Sequence, residues 1–100
     1  MSKGIELKLD GPLEIQRATD LRKQILEALE KKDPVLLDVS DAEACDLSFV
    51  QIVIAASLYA SSKDKSFMVR SGESFDRAAT MAGLSAAIPR EGTPAGTGRE

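Results

Sequence analysis

The chain has 100 residues, 43% apolar and 29% charged, with seven Gly, four Pro and one Cys, which fits one soluble domain with one core. Thirteen Lys and Arg against sixteen Asp and Glu give a net charge of -3, so the basic surface that attracts nucleic acid or anionic lipid is missing. There is no His, the commonest general base and metal ligand, and four aromatic residues provide little to stack a base or a sugar upon. A lone Cys45 forms no intrachain disulfide, and the N-terminus lacks the basic-then-apolar pattern of a signal peptide; a reducing cytoplasm is the expected location.

Ile5, Leu7 and Leu9 alternate with Glu6, Lys8 and Asp10, the period-two pattern of a strand with one wet face. Asp10-Gly11-Pro12 is turn chemistry, and alternation resumes at Leu13 and Ile15, so a hairpin is expected to open the domain. From Ala18 the apolar residues Leu21, Ile25, Ala28 and Leu29 recur at three- and four-residue steps, predicting an amphipathic helix over roughly 17–32. Pro34 ends it, because the residue before a proline is driven out of helical geometry. Val35-Leu36-Leu37-Asp38-Val39 then reads as a strand covered on both faces.

Ser40 to Asp46 reads as a polar, acidic connection, followed by Phe49 to Ala60, a run too long for a strand and too short for the roughly 20 residues of a membrane crossing. It predicts a helix over about 48–62 that is apolar almost all round, hence deeply buried unless one face is kept for a partner. Phe67-Met68-Val69 is a further strand, and Ser74 is the expected N-cap of a last helix that Gly83 stops. Leu84 to Ile88 adds an edge strand or docks, and residues 89–100 are expected to form a mobile tail. The expected architecture is a single α/β domain over residues 1–88, a mixed four- to five-stranded sheet flanked by helices in the order β-β-α-β-α-β-α.

The order of elements, Asp38-Val39-Ser40 at the end of the third strand, Asp46-Leu47-Ser48 before the long apolar helix, and Ala79-Thr80-Met81-Ala82-Gly83-Leu84 near the close together resemble the STAS domain family, the sulfate-transporter and anti-sigma-factor-antagonist domains. The likeness covers about residues 4–88. It implies a role in binding other proteins rather than in turnover. In the anti-sigma-factor antagonists a serine at the start of the second helix is phosphorylated by a partner kinase, and by position that serine is Ser48, accompanied by Asp46. Leu47 and Phe49 stand where the family pattern has a hydroxyl residue and a glycine.

The residues alone carry part of this reading. A phosphate on Ser48 would meet the positive end of the helix macrodipole, while Asp46 would repel it and a partner would have to desolvate the new charge. The alternative is that Ser48 is only a helix N-cap. Phe49 is either core or an interface anchor, with core the favoured reading, and Cys45 reads as a small buried hydrophobe. Asp38, Asp41, Glu43 and Asp46 read as a solvated loop, since their spacing does not match a calcium loop. Ser57, Ser61 and Ser62 carry no assigned chemistry.

The expected function is a non-enzymatic bacterial signalling module that binds a regulatory serine kinase or an anti-sigma factor through Asp46, Leu47, Ser48, Phe49 and Val50, with no catalytic residue, metal or cofactor. Resemblance also suggests the cytoplasmic STAS-type subunit of an ABC lipid transporter, bound to its ATPase, or a chemotaxis-operon adaptor. Neither nucleic acid nor membrane insertion is expected, and an enzyme ranks last, because no nucleophile with its base and no phosphate-binding loop is visible.

Overall fold

The computed structural model of the chain describes residues 4–91. Its elements run β1 (Ile5–Lys8), β2 (Gly11–Leu13), α1 (Ala18–Lys31), β3 (Val35–Asp38), β4 (Ala42–Cys45), α2 (Leu47–Ser62), β5 (Phe67–Arg70) and α3 (Glu73–Met81), with short 3-10 turns at Ile15–Arg17 and Ser85–Ala87. The α/β class is as expected, but the strands are arranged differently. β1, β3 and β5 form one parallel sheet in the order β1-β3-β5, and β2 pairs with β4 in a second, two-stranded parallel sheet.

The expected opening hairpin is therefore absent. Gly11 sits at φ 73°, a backbone that L side chains rarely adopt, and the chain uses it to leave the first sheet for the second rather than to fold back on β1. β4 occupies the segment read as a polar connection. Ala42-Glu43-Ala44-Cys45 has little intrinsic strand preference, and β2 supplies the pairing that its own composition does not.

One face of the larger sheet and three helices enclose the core. Val35, Leu37, Phe67 and Val69 point inward from β3 and β5, the alternate positions demanded by the strand pleat. α1 meets them with Leu21, Ile25 and Leu29, α2 with Phe49, Val50, Val53, Ala56 and Ala60, and α3 with Phe75 and Ala79. Both faces of β3 were expected to be covered; instead Leu36 is half-buried on the outer face, beside Glu6 and Met68 across the strands.

Two local expectations at the C-terminal end are corrected. α3 begins after Gly72, not Ser74; Ser74 lies inside the helix, and its hydroxyl donates to the Glu43 carbonyl at 3.1 Å. Gly72 is needed for closeness, since a Cβ there would lie 2.5 Å from the Ser40 carbonyl oxygen. The stretch expected to be mobile from Pro89 is paired through Glu91: the Val69 N–H donates to the Pro89 carbonyl at 2.7 Å and the Glu91 N–H to the Val69 carbonyl at 2.9 Å. Arg90 donates to Asp76, Ser71 and Ser85, and Glu91 to Arg70 forms a second ion pair. The rest of the expected tail lies outside the described residues.

Candidate functional site: the entrance and outer face of α2

Asp46 is the hinge between β4 and α2. Its backbone is extended at φ -117° and ψ 178°, the geometry of an N-cap, and its Oδ1 accepts the Phe49 N–H at 3.2 Å. The same oxygen accepts the Ser48 hydroxyl at 2.5 Å, while Oδ2 accepts the Ile15 N–H at 2.9 Å from the turn that leads into α1. Burial pushes the Asp46 carboxyl upward, but the hydrogen bonds from Ser48, Phe49 and Ile15 outweigh it and hold the group below its ordinary value. One carboxylate thus ties the starts of α1 and α2 together.

Ser48 is accordingly not the cap. It is the second residue of the helix, half-buried, with its hydroxyl hydrogen committed to Asp46. The five residues expected at the docking epitope do not share one surface. Leu47 is 49% exposed and Asp46 and Ser48 are half-buried, whereas Phe49 and Val50 are sealed in the core and are removed from the epitope. Successive helical residues turn by about 100°, so a helix whose position 47 faces outward carries 49 and 50 inward. The Phe49 ring meets Phe75 of α3 edge-to-face, with centroids 6.0 Å apart and planes at 82°.

The sequence left open that one face of this helix is kept for a partner, without saying which residues form it; the exposed face lies further along the same helix. Leu47, Gln51, Ala55 and Leu58 follow at steps of four, four and three on the outer face, with Leu58 67% exposed. All sixteen residues of α2 lack a charge. Absence of charge on a helix that must also have an outside is the signal for an apolar outer face, the second of the two alternatives the sequence left open.

Hollows flank this face. Between α1 and α2 a cavity of about 330 Å³ is lined by Ile15, Ala18, Arg22, Ser48, Ile52 and Ala55, and it adjoins another of about 290 Å³ that reaches Tyr59. On the α3 side, Cys45, Leu47, Ala78 and Met81 help to line a cavity of about 290 Å³, with Met81 81% exposed at its rim. The Cys45 thiol, half-buried there, is pushed up to about 11 by burial and by the nearby carboxylates of Asp46 and Glu14, so it is a neutral wall rather than a nucleophile.

Of the acidic residues read as one solvated loop, Asp38, Asp41 and Asp46 have different hydrogen-bond and ion-pair partners. Asp41 pairs with Lys8 at 2.8 Å. Asp38, only 4% exposed, accepts the Ser40 hydroxyl at 2.6 Å and the Ser40 N–H at 3.0 Å and meets Arg70 at 3.2 Å, which together hold its carboxyl below the ordinary value. Among the described residues, no group of three or more His, Cys, Asp or Glu side chains is placed to hold a metal ion.

The family model described as "Mlab, STAS domain" matches residues 2–88, and the chain belongs to the STAS domain family. No curated protein matches the chain. No helix of the described residues is long and apolar enough to cross a membrane.

Proposed function

We propose that the chain is a non-enzymatic docking subunit whose outer α2 face, from Leu47 to Leu58, binds a protein partner constitutively. One observation carries this reading: a sixteen-residue helix without a charged side chain keeps leucines at both ends of its solvent face. Exposed apolar patches of this kind mark contact surfaces, because leaving them in water forgoes about 25 cal/mol for each Å² that a partner would cover. Ser48, whose hydroxyl is engaged by an ionised Asp46, is under this reading a brace of the helix entrance.

The partner class that fits constitutive docking is the ATPase of a transport assembly, a class raised by the family resemblance. The test is affinity purification of the tagged chain from its source cell, alongside Leu58→Glu and Ser48→Ala. An ATPase should copurify with the wild type and with Ser48→Ala and disappear with Leu58→Glu. Equal recovery with Leu58→Glu would overturn the choice of face.

A second reading has its own support. Ser48 and Arg22 line the same cavity, so a phosphate on Ser48 would have a guanidinium within the hollow it enters. In that case the partner is a regulatory serine kinase or an anti-sigma factor, and the complex dissolves when Ser48 is modified. Recovery of a kinase in the eluate, with a phosphate mass on the peptide containing Ser48, selects this reading over the first.

A further inference from the structure

We propose that the open edge of β1 pairs with β1 of a second copy of this chain. The two strands run antiparallel about a two-fold axis at Leu7 and join the larger sheets of both copies into one, in the order β5-β3-β1-β1-β3-β5.

Among the described residues β1 pairs on one side only, with β3. The Ile5 N–H donates to the Pro34 carbonyl and the Leu9 N–H to the Asp38 carbonyl, both at 2.9 Å. Ile5, Leu7 and Leu9 therefore turn their backbone groups toward β3, and the N–H and C=O groups of Glu6 and Lys8 point to the free edge. The open stretch ends at Asp10, whose carbonyl accepts the Arg17 guanidinium at 3.1 Å. An edge of this kind is a template for a further strand, which gains its affinity from main-chain hydrogen bonds.

A second copy fits this edge in one register. A two-fold axis perpendicular to the sheet makes the two β1 strands antiparallel and keeps both outer faces on the same side. With the axis at Leu7, Glu6 meets Lys8 of the second copy, and Lys8 meets its Glu6. These become the hydrogen-bonded pairs, each exchanging two bonds, so every outward N–H of Glu6 and Lys8 finds an acceptor. Leu7 meets Leu7 of the second copy in the closer pair between them, on the helix side of the sheet, where it is only half-buried. Moving the centre to Glu6 or to Lys8 would set like charges opposite each other, which is destabilising.

Charge favours the same register. Across the outer face Arg70, Asp38 and Lys8 are successive cross-strand neighbours on β5, β3 and β1. The signs alternate, and Glu6 of the second copy continues the row with the next negative group. Lys8 also pairs with Asp41, and Glu6 with Arg70, but their side chains remain 51% and 50% exposed. An ammonium with three donors and a carboxylate with two oxygens each have capacity for the added partner. The net charge of -3 on each copy opposes association in general, so contact is confined to an edge whose charges are complementary. β1 shares no residue with the outer face of α2, and the dimer does not depend on what docks there, so the two proposals fail separately.

The test uses the purified full chain. Sedimentation equilibrium at rising concentration should show the average mass climbing from monomer to dimer, with Leu58→Glu behaving as the wild type. Glu6→Lys and Lys8→Glu each set like charges opposite at both pairs and should weaken the dimer by about tenfold or more. Mixed in equal amounts the two variants should restore it, because every lysine of one then meets a glutamate of the other; a damaged fold cannot produce that rescue. Register is read in a Cys45→Ser background: on gentle oxidation Leu7→Cys should cross-link to itself, since residues facing each other in the closer pair lie about 4.5 Å apart at Cα, within disulfide reach. A wild type that stays monomeric at every concentration, a dimer lost in Leu58→Glu, single variants that dimerise like the wild type, a mixture without rescue, or a folded Leu7→Cys that does not cross-link would each overturn the proposal.

Discussion

The Asp46 carboxylate accepts three hydrogen bonds from two parts of the chain, so its removal touches more than one helix end. Loss of an N-cap costs about 0.5–2 kcal/mol, and Asp46→Ala should fall at the upper part of that range, because the Ile15 N–H loses its acceptor as well. Urea unfolding measures it. Ser48→Ala should cost less, since Asp46 keeps its two backbone donors. Both Asp38 and Asp46 are held below their ordinary carboxyl values in the fold. Their contribution is therefore complete above the unfolded carboxyl value near 4 and disappears as pH falls through the lower folded values. Unfolding free energy measured from neutral pH into the acid range should decline below about pH 5, and Asp46→Asn should flatten that decline. An unchanged acid limb in Asp46→Asn would show that this carboxyl is no anchor.

At the scale of elements, α2 is fixed from inside by Phe49, whose ring joins it to α3 through Phe75. Phe49→Ala should cost about 3–5 kcal/mol, readable as a large drop in the urea midpoint, whereas Leu58→Glu on the outside should change stability by no more than about 0.5 kcal/mol. Gly72→Ala should destabilise by about 1–3 kcal/mol, because its added carbon meets backbone at Ser40 rather than a side chain that could move. These helices were legible in the sequence: Leu21, Ile25 and Leu29 recur at helical spacing, and the Phe49–Ala60 run is too long for a strand. The pairing of the strands was not legible. Asp10-Gly11-Pro12 carries the same signal whether a chain folds back or crosses to another sheet, and β4 exists only because β2 lies beside it. Of the five residues expected at the docking epitope, Asp46, Leu47 and Ser48 reach the surface, whereas Val50 and Phe49, the latter already favoured as core, are buried, because a short stretch of helix turns successive residues onto different faces.

Seen as a whole, the molecule separates its charged surface from one uncharged helix. Arg70 gathers Glu6, Asp38 and Glu91 on the outer side of the sheet, and Arg90 secures the residues beyond β5. α2, packed between α1 and α3, is left with an outer face of Leu47, Gln51, Ala55 and Leu58. Charge elsewhere limits unspecific association, and its absence here directs association to one place. That division sets a charged scaffold against an uncharged contact face. The most direct measurement of it is recovery of the source-cell partner by tagged Leu58→Glu and tagged Ser48→Ala, each checked for a native fold. Loss of the partner with Leu58→Glu and its retention with Ser48→Ala is the expected result; retention with Leu58→Glu and loss with Ser48→Ala would contradict it.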